Sequence, residues 1–305
     1  MSARARGEPA GRGRRRDGGG GRGGRRGREV GAGRRGGGRR ERSELSSRIL
    51  VAIPAIAFAI FIVVQGGLVF ALGLIGLGIL ALRELYTLMR RSRPVDLGGH
   101  LALIAIVLLA AYGDRDDVLI ALVAAIPVIF VLALTRSSLD HLAWGVSGTM
   151  LGVTWVGLAL AHAVFLRDLP HGDGLVVDLL VGTFVGDTAA YLGGRLYGRR
   201  PLASRISPSK TVEGLVAGIV GGTAAFWFAG LYQDWLSGVD ALVLGFLVAL
   251  VAPLGDLFES AIKRDLEVKD AGRFFGVHGG VLDRLDAVFF TAVVGYYGSV
   301  ALGYG

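Results

Sequence analysis

RILVAIPAIAFAIFIVVQGGLVFALGLIGLGILALR, residues 48–83, carries no ionisable side chain between its two flanking arginines. Its two apolar runs approach the length of about 17–25 residues that an α-helix needs to cross hydrocarbon. They meet at Gln65-Gly66-Gly67, where paired glycines allow the chain to reverse tightly. The stretch predicts a helical hairpin inside a membrane, with helices at 48–64 and 67–83.

Blocks of the same kind recur toward the C-terminus, at 99–112, 118–135, 143–165, 175–194, 213–233, 239–256 and 286–304. The expected fold is all-α, a polytopic transmembrane bundle of about nine spans. The third block is short enough to re-enter on the side it left, which makes eight spans the alternative. A composition of 52% hydrophobic residues, with a mean hydropathy of +0.55, is too apolar for an ordinary soluble domain. The absence of cysteine excludes disulfides, thiolate zinc sites, iron–sulfur clusters and thiol nucleophiles.

The net charge of +8 is unevenly spread. Residues 1–48 hold 16 arginines against 5 acidic residues, or +11, which leaves −3 for the remainder. Residues 1–47 are Arg/Gly repeats that cannot build a core, and they read as a disordered basic cytoplasmic tail. The tail is too long and too charged for a cleaved signal peptide. Anionic lipid, at about 1 kcal/mol per arginine near the surface, is its favoured contact. RNA binding and protein docking are the alternatives, although no aromatic residue is interleaved for base stacking. The rest divides into an N-terminal transmembrane region, 48–180, and a C-terminal transmembrane catalytic region, 181–305.

Loop charge orients the bundle. With the tail inside, connections near 90–96, 135–141, 195–211 and 257–285 are also inside, and they hold most of the arginines and all three lysines, Lys210, Lys263 and Lys269. The connections near 113–117, 167–174 and 233–238 fall outside.

The reactive residues concentrate in two of the inside loops and their flanking helix ends. Asp187 sits within an apolar helix, where a carboxylate costs about 2.5–3.5 kcal/mol on insertion scales. It calls for a partner, a metal or a water-filled cavity; pairing with Arg195 is the simplest. Ser207-Pro-Ser-Lys210-Thr211-Val-Glu213-Gly214 reads as a helix start with free N–H groups beside a lysine, a setting suited to phosphate. In the second loop, Asp256, Ser260, Lys263 and Arg264 share one face if the eighth helix continues past Asp256. Asp283 and Asp286 share a face at the start of the last helix. Carboxylates at two helix ends suit Mg²⁺ with substrate phosphates, and lysine with arginine suits a polyphosphate. Neither a P-loop nor a dinucleotide-binding glycine motif is present.

At these residues the sequence resembles the phosphatidate cytidylyltransferase (CDP-diacylglycerol synthase) family. Ser260, Lys263, Arg264, Lys269, Asp270, His278, Gly279, Gly280, Asp283, Arg284 and Asp286 fall in register with that family's C-terminal signature. Gly186-Asp187 and Ser207–Gly214 look like its upstream motifs. The close resemblance covers about residues 182–290, while 48–180 match only as a hydrophobic region. Ser209 stands where the family often has a second lysine, and Gly276-Val277 where it usually has Pro-Gly.

The resemblance implies transfer of a cytidylyl group from CTP to phosphatidic acid, giving CDP-diacylglycerol and pyrophosphate. It implies Mg²⁺, with a second divalent or monovalent cation left open, and Asp256 and Asp283 as metal ligands. Lys263, Arg264 and Lys269 would contact phosphates, supported by Ser260 and Lys210. Asp286 and His278 complete the expected catalytic set, with His278 orienting a group or simply bonding backbone. Ser207, Thr211, Asp187, Asp270 and Arg284 are expected on the substrate side. The expected partners are CTP, phosphatidic acid and membrane lipids. A homodimer is compatible with the sequence, and no specific nucleic acid is expected. The expected location is the plasma membrane, with the site on its cytoplasmic face. A transporter using Asp187, Asp256 and Asp283 as an ion path, or a CTP-dependent lipid kinase, would draw on the same residues.

Overall fold

The computed structural model describes residues 53–268 and 280–305. The basic tail, the beginning of the first apolar run, and Lys269, Asp270, His278 and Gly279 lie outside the described residues, as does Gly276-Val277.

Among the described residues the chain forms nine helices: α1 (Ile53–Gln65), α2 (Gly67–Leu88), α3 (Asp96–Tyr112), α4 (Arg115–Leu134), α5 (Leu142–Asp168), α6 (Gly172–Tyr197), α7 (Val212–Gly230), α8 (Gly238–Asp265) and α9 (Leu282–Ala301). Each overlaps one segment expected from the apolar blocks. Six of them, α2 and α4 to α8, are long and apolar enough to cross a membrane. α3 has 17 residues, and α9 brings Asp283, Arg284 and Asp286 into its first turns. The protein is a multi-pass helical membrane protein. The apolar residues left on its surface, such as Ile120 at 65% and Phe228 at 73% exposure, suit hydrocarbon rather than water.

Three expectations are corrected. The fold is not wholly helical: β1 (Pro201–Ala203) and β2 (Ser207–Thr211) pair antiparallel between α6 and α7. Ser207 to Lys210 therefore belong to a strand rather than to a helix start. Thr211 alone is the cap, its Oγ1 accepting from Gly214 N at 3.1 Å. Finally, α8 does not end near Asp256 but continues to Asp265. Its 28 residues span about 42 Å at about 1.5 Å each, which outruns a hydrocarbon core of about 30 Å. The loss of hydropathy after Asp256 marked the end of the apolar run, not of the helix.

Contacts between loops sort them to two ends of the bundle. At one end Arg136 donates to the carbonyls of Arg93 and Pro94, joining the α2–α3 and α4–α5 connections. At the other, Arg167 donates to Val63 O at 2.6 Å, and His171 stacks on Trp235 with ring centroids 4.7 Å apart. Trp235 in turn meets Tyr304, whose hydroxyl donates to Asp240 at 2.8 Å. The sorting follows the two sets of loops separated by charge.

Helices α6 and α7 pack through small residues. A Cβ on Gly218 would lie 2.9 Å from Ala190 Cβ and 3.2 Å from Gly186 O. One on Gly222 would lie 2.9 Å from both Gly182 O and Ala249 Cβ. Backbones this close transmit position without intervening side chains, the small-residue mode of helix association in lipid. In α5 a π-turn at Val153–Gly157 carries Trp155, whose ring stands edge-on to Phe258 of α8 at 4.8 Å.

Candidate functional site

The long α8 and the start of α9 meet beside the β1–β2 hairpin, and among the described residues five carboxylates gather there with two lysines. One group centres on Lys263. Its Nζ donates to Asp283 Oδ1 at 2.8 Å and to Glu259 Oε2 at 3.1 Å. Asp283 Oδ2 accepts from Gly280 N at 2.8 Å, so both oxygens of this carboxylate hold a donor. The other group centres on Asp256, which is ion-paired with Lys210 from β2 and accepts from Ser260 Oγ at 3.3 Å. Asp187 of α6 and Asp286 of α9 both feel the negative charge of Asp256, and Asp187 also feels Lys210. Arg195, the simplest partner expected for Asp187, donates instead to the Tyr191 hydroxyl at 3.3 Å.

Glu259 lies between the groups and interacts with both Asp283 and Asp286. It is 2% exposed, and its Oε1 has no hydrogen-bond partner among the described residues. Asp286, 8% exposed, accepts from Ala287 N at 2.8 Å. A buried acidic cluster of this density needs compensating positive charge or protonation of some of its carboxyl groups.

Sequence reading singled out Asp187, Lys210, Asp256, Ser260, Lys263, Asp283 and Asp286, and the fold brings them together. Arg264 donates Nε to Ile206 O at 3.1 Å and so ties the hairpin to α8. Ser207 and Thr211 stand at the two ends of β2, with Thr211 engaged as the cap. Glu259 was missed, although its place four residues before Lys263 was a legible pairing signal. Glu213 accepts from the backbone N–H groups of Arg199 at 3.0 Å and Arg200 at 3.1 Å, closing the base of the hairpin. Glu84 was also missed. This residue of α2 accepts from Leu282 N at 2.9 Å across 198 positions of chain.

Among the described residues no three His, Cys, Asp or Glu side chains are arranged to hold a metal on their own. Mg²⁺ asks for less: one or two carboxylates, with phosphate oxygens and water completing its shell. Five hard-oxygen donors against two lysines, with the buried Glu259 Oε1 unpartnered, fit such an ion. Asp256 offers the more open carboxylate. Asp283 would reach a metal through a remaining lone pair, or after Lys263 turns to a substrate phosphate.

A cavity of about 1850 Å³ adjoins the cluster. Apolar side chains of α1, α2, α5, α6 and α9 line most of it, among them Phe61, Phe70, Leu160 and Leu180. Its polar end is formed by Lys263, Asp283 and Arg284.

The chain is also similar in sequence to known proteins. A model of the cytidylyltransferase family matches residues 46–301. The uncharacterized protein YnbB of Escherichia coli strain K12 is 40% identical over 157 residues, covering 50% of this chain and 53% of that protein. A phosphatidate cytidylyltransferase of Mycobacterium leprae is 38% identical over 150 residues, covering 49% of this chain and 48% of its own. Phosphatidate cytidylyltransferase 4, chloroplastic, of Arabidopsis thaliana is 32% identical over 294 residues, covering 85% of this chain and 74% of its own. The chain thus spans about half the length of the first two relatives and about three-quarters of the third. With the family match running through both halves of the bundle, the chain belongs to the cytidylyltransferase family.

Proposed function

We propose that this chain transfers a cytidylyl group from CTP to phosphatidic acid, forming CDP-diacylglycerol and pyrophosphate for phospholipid synthesis. The observation that carries the reading is the continuity between an apolar cavity of about 1850 Å³ and a polar end holding Lys263, Asp283 and Arg284. A diacyl lipid has that same division, with two hydrocarbon chains joined to a phosphate.

In the reaction, an oxygen of the lipid phosphate attacks the α-phosphorus of CTP. The new P–O bond forms as the bond to the β-phosphate oxygen breaks, and pyrophosphate leaves with the electron pair. The attacking phosphate is already ionised near neutral pH, so positioning and charge stabilisation carry the catalysis. Lys263 is fixed by Asp283 and Glu259, and two of its three N–H groups are engaged by them. The third is open to a phosphate oxygen. Lys210 reaches Asp256 from β2, so each of the two groups of carboxylates contains a lysine. Asp256 and Asp283 are the proposed holders of Mg²⁺, whose bound charge would offset that of the triphosphate. Arg264, anchored to the hairpin through Nε, keeps its remaining guanidinium donors for phosphate. Lys269, Asp270 and His278 are proposed to complete the nucleotide side.

All nine helices are proposed to lie in the plasma membrane, with the hairpin end of the bundle facing the cytoplasm. Most of the loop arginines and all three lysines support that orientation. Such placement lets the lipid enter sideways while the nucleotide arrives from water. The test is incubation of the detergent-purified chain with CTP, Mg²⁺ and phosphatidic acid, reading CDP-diacylglycerol by mass spectrometry and pyrophosphate by a coupled assay. Both products are expected. Release of CDP with a newly phosphorylated lipid would replace this reading with a kinase.

A further inference from the structure

The first turn of α9 carries Asp283, yet its N-cap residue, Val281, supplies no side-chain cap. A helix begins with N–H groups that have no partner within the helix. Here a residue from the other half of the molecule provides for them. Glu84, near the end of α2, accepts from Leu282 N at 2.9 Å and also from the backbone of Val281. The adjoining N–H, of Gly280, is taken by Asp283 itself at 2.8 Å. The Glu84 carboxylate also occupies the space a side chain at 280 would need, since a Cβ there would strike both of its oxygens. A side chain at 280 would therefore have to displace the Glu84 carboxylate.

The two carboxylates feel each other's charge. Asp283 accepts from Lys263 at 2.8 Å, and the Glu84 carboxylate holds the helix start on which Asp283 stands. We propose that Glu84 is a positioning residue: by clamping residues 280–282 it sets where the Asp283–Lys263 pair stands relative to substrate. The inference rests on the cytidylyltransferase reading of the site. It adds a contribution from α2, a region outside the signature segment.

The test compares the wild-type full chain with Glu84→Gln, Glu84→Ala, Gly280→Ala and the Glu84→Ala/Gly280→Ala double variant. For each, kcat, KM for CTP and Tm in detergent are measured. Glu84→Ala is expected to lower kcat about 30-fold with KM for CTP within about threefold, since small displacements at a reacting centre cost up to about 10²-fold. Glu84→Gln keeps an acceptor oxygen and should restore kcat to within about fivefold of wild type. Gly280→Ala should lose about 100-fold, and the double variant should be no worse than Gly280→Ala alone, because the second change removes the group the first collides with.

Glu84→Ala within twofold of wild-type kcat would overturn the proposal. So would losses that multiply in the double variant, or a Glu84→Gln variant as impaired as Glu84→Ala with Tm falling in parallel. Absence of turnover in the wild-type chain would overturn the function and Asp283's role with it. Wild-type turnover beside a fully active Glu84→Ala would overturn only the role of Glu84.

Discussion

In α2 to α5 the interior is filled by large side chains: Leu82, Leu85, Leu103, Ile106 and Ile129 are fully buried. In α6 and α7 the corresponding space hardly exists, because Gly182, Gly186, Gly218 and Gly222 bring the backbones into contact. A side-chain core tolerates adjustment, since rotamers and neighbours relax around a lost methyl group. A backbone contact has little to relax. The carboxylates and lysines of the site stand largely on the second kind of framework and its continuation through α8, where small displacements matter most. The first kind forms much of the apolar cavity, where a lipid chain needs only approximate complementarity.

Four measurements test this contrast. The largest effect is expected from Asp283→Ala. It removes one of the two carboxylates that hold Lys263 and should lower turnover by roughly 10³-fold, in the range found for removal of a charge-stabilising group. A loss below tenfold would remove Asp283 from the site. Next, Leu103→Ala in the side-chain core should cost about 2–5 kcal/mol of stability, read by denaturation in detergent, while KM for CTP stays unchanged. A shift in that KM would mean that the two regions are mechanically coupled. Third, Gly222→Ala should cost about 1–3 kcal/mol through overpacking, but it should lower kcat more than Leu103→Ala does. Equal kcat values for the two variants would erase the proposed difference between the frameworks. The smallest effect concerns Gly76, which lines the cavity and has open space where a Cβ would stand. Gly76→Leu should leave Tm unaltered and shift the preference among phosphatidic acids toward shorter chains by a few-fold, the scale of one or two methylenes of contact. An unchanged chain-length profile would separate the cavity from lipid binding.

Much of the site was legible because charged residues are conspicuous in an apolar chain. Asp187, Asp256 and the Asp283–Asp286 pair stand out where a carboxylate is expensive. Helical spacing then placed Ser260 and Lys263 on the face of Asp256. Glu259 was less conspicuous, because a glutamate four residues before a lysine also reads as an ordinary surface ion pair of a helix. Glu84 was beyond reach for another reason. Nothing local to α2 announces that its carboxylate meets a helix start 198 positions away. The hairpin of Pro201–Thr211 was hidden as well: Ser, Pro and Lys are poor strand formers, and the pairing depends on the partner segment closing upon it.

Read alone, the sequence established a helical membrane protein, the places of the nine helices seen among the described residues, which loops share an end and which residues put charge within apolar segments. These follow from hydropathy, which is read along the chain and scales with the cost of burying polar groups in lipid. It took the packed structure to show that α8 continues to Asp265, that Lys210 reaches Asp256 from a strand, and that Lys263 meets Asp283. Those are contacts between segments distant in the chain, set by how closely glycine-lined helices approach and by where each helix end comes to rest.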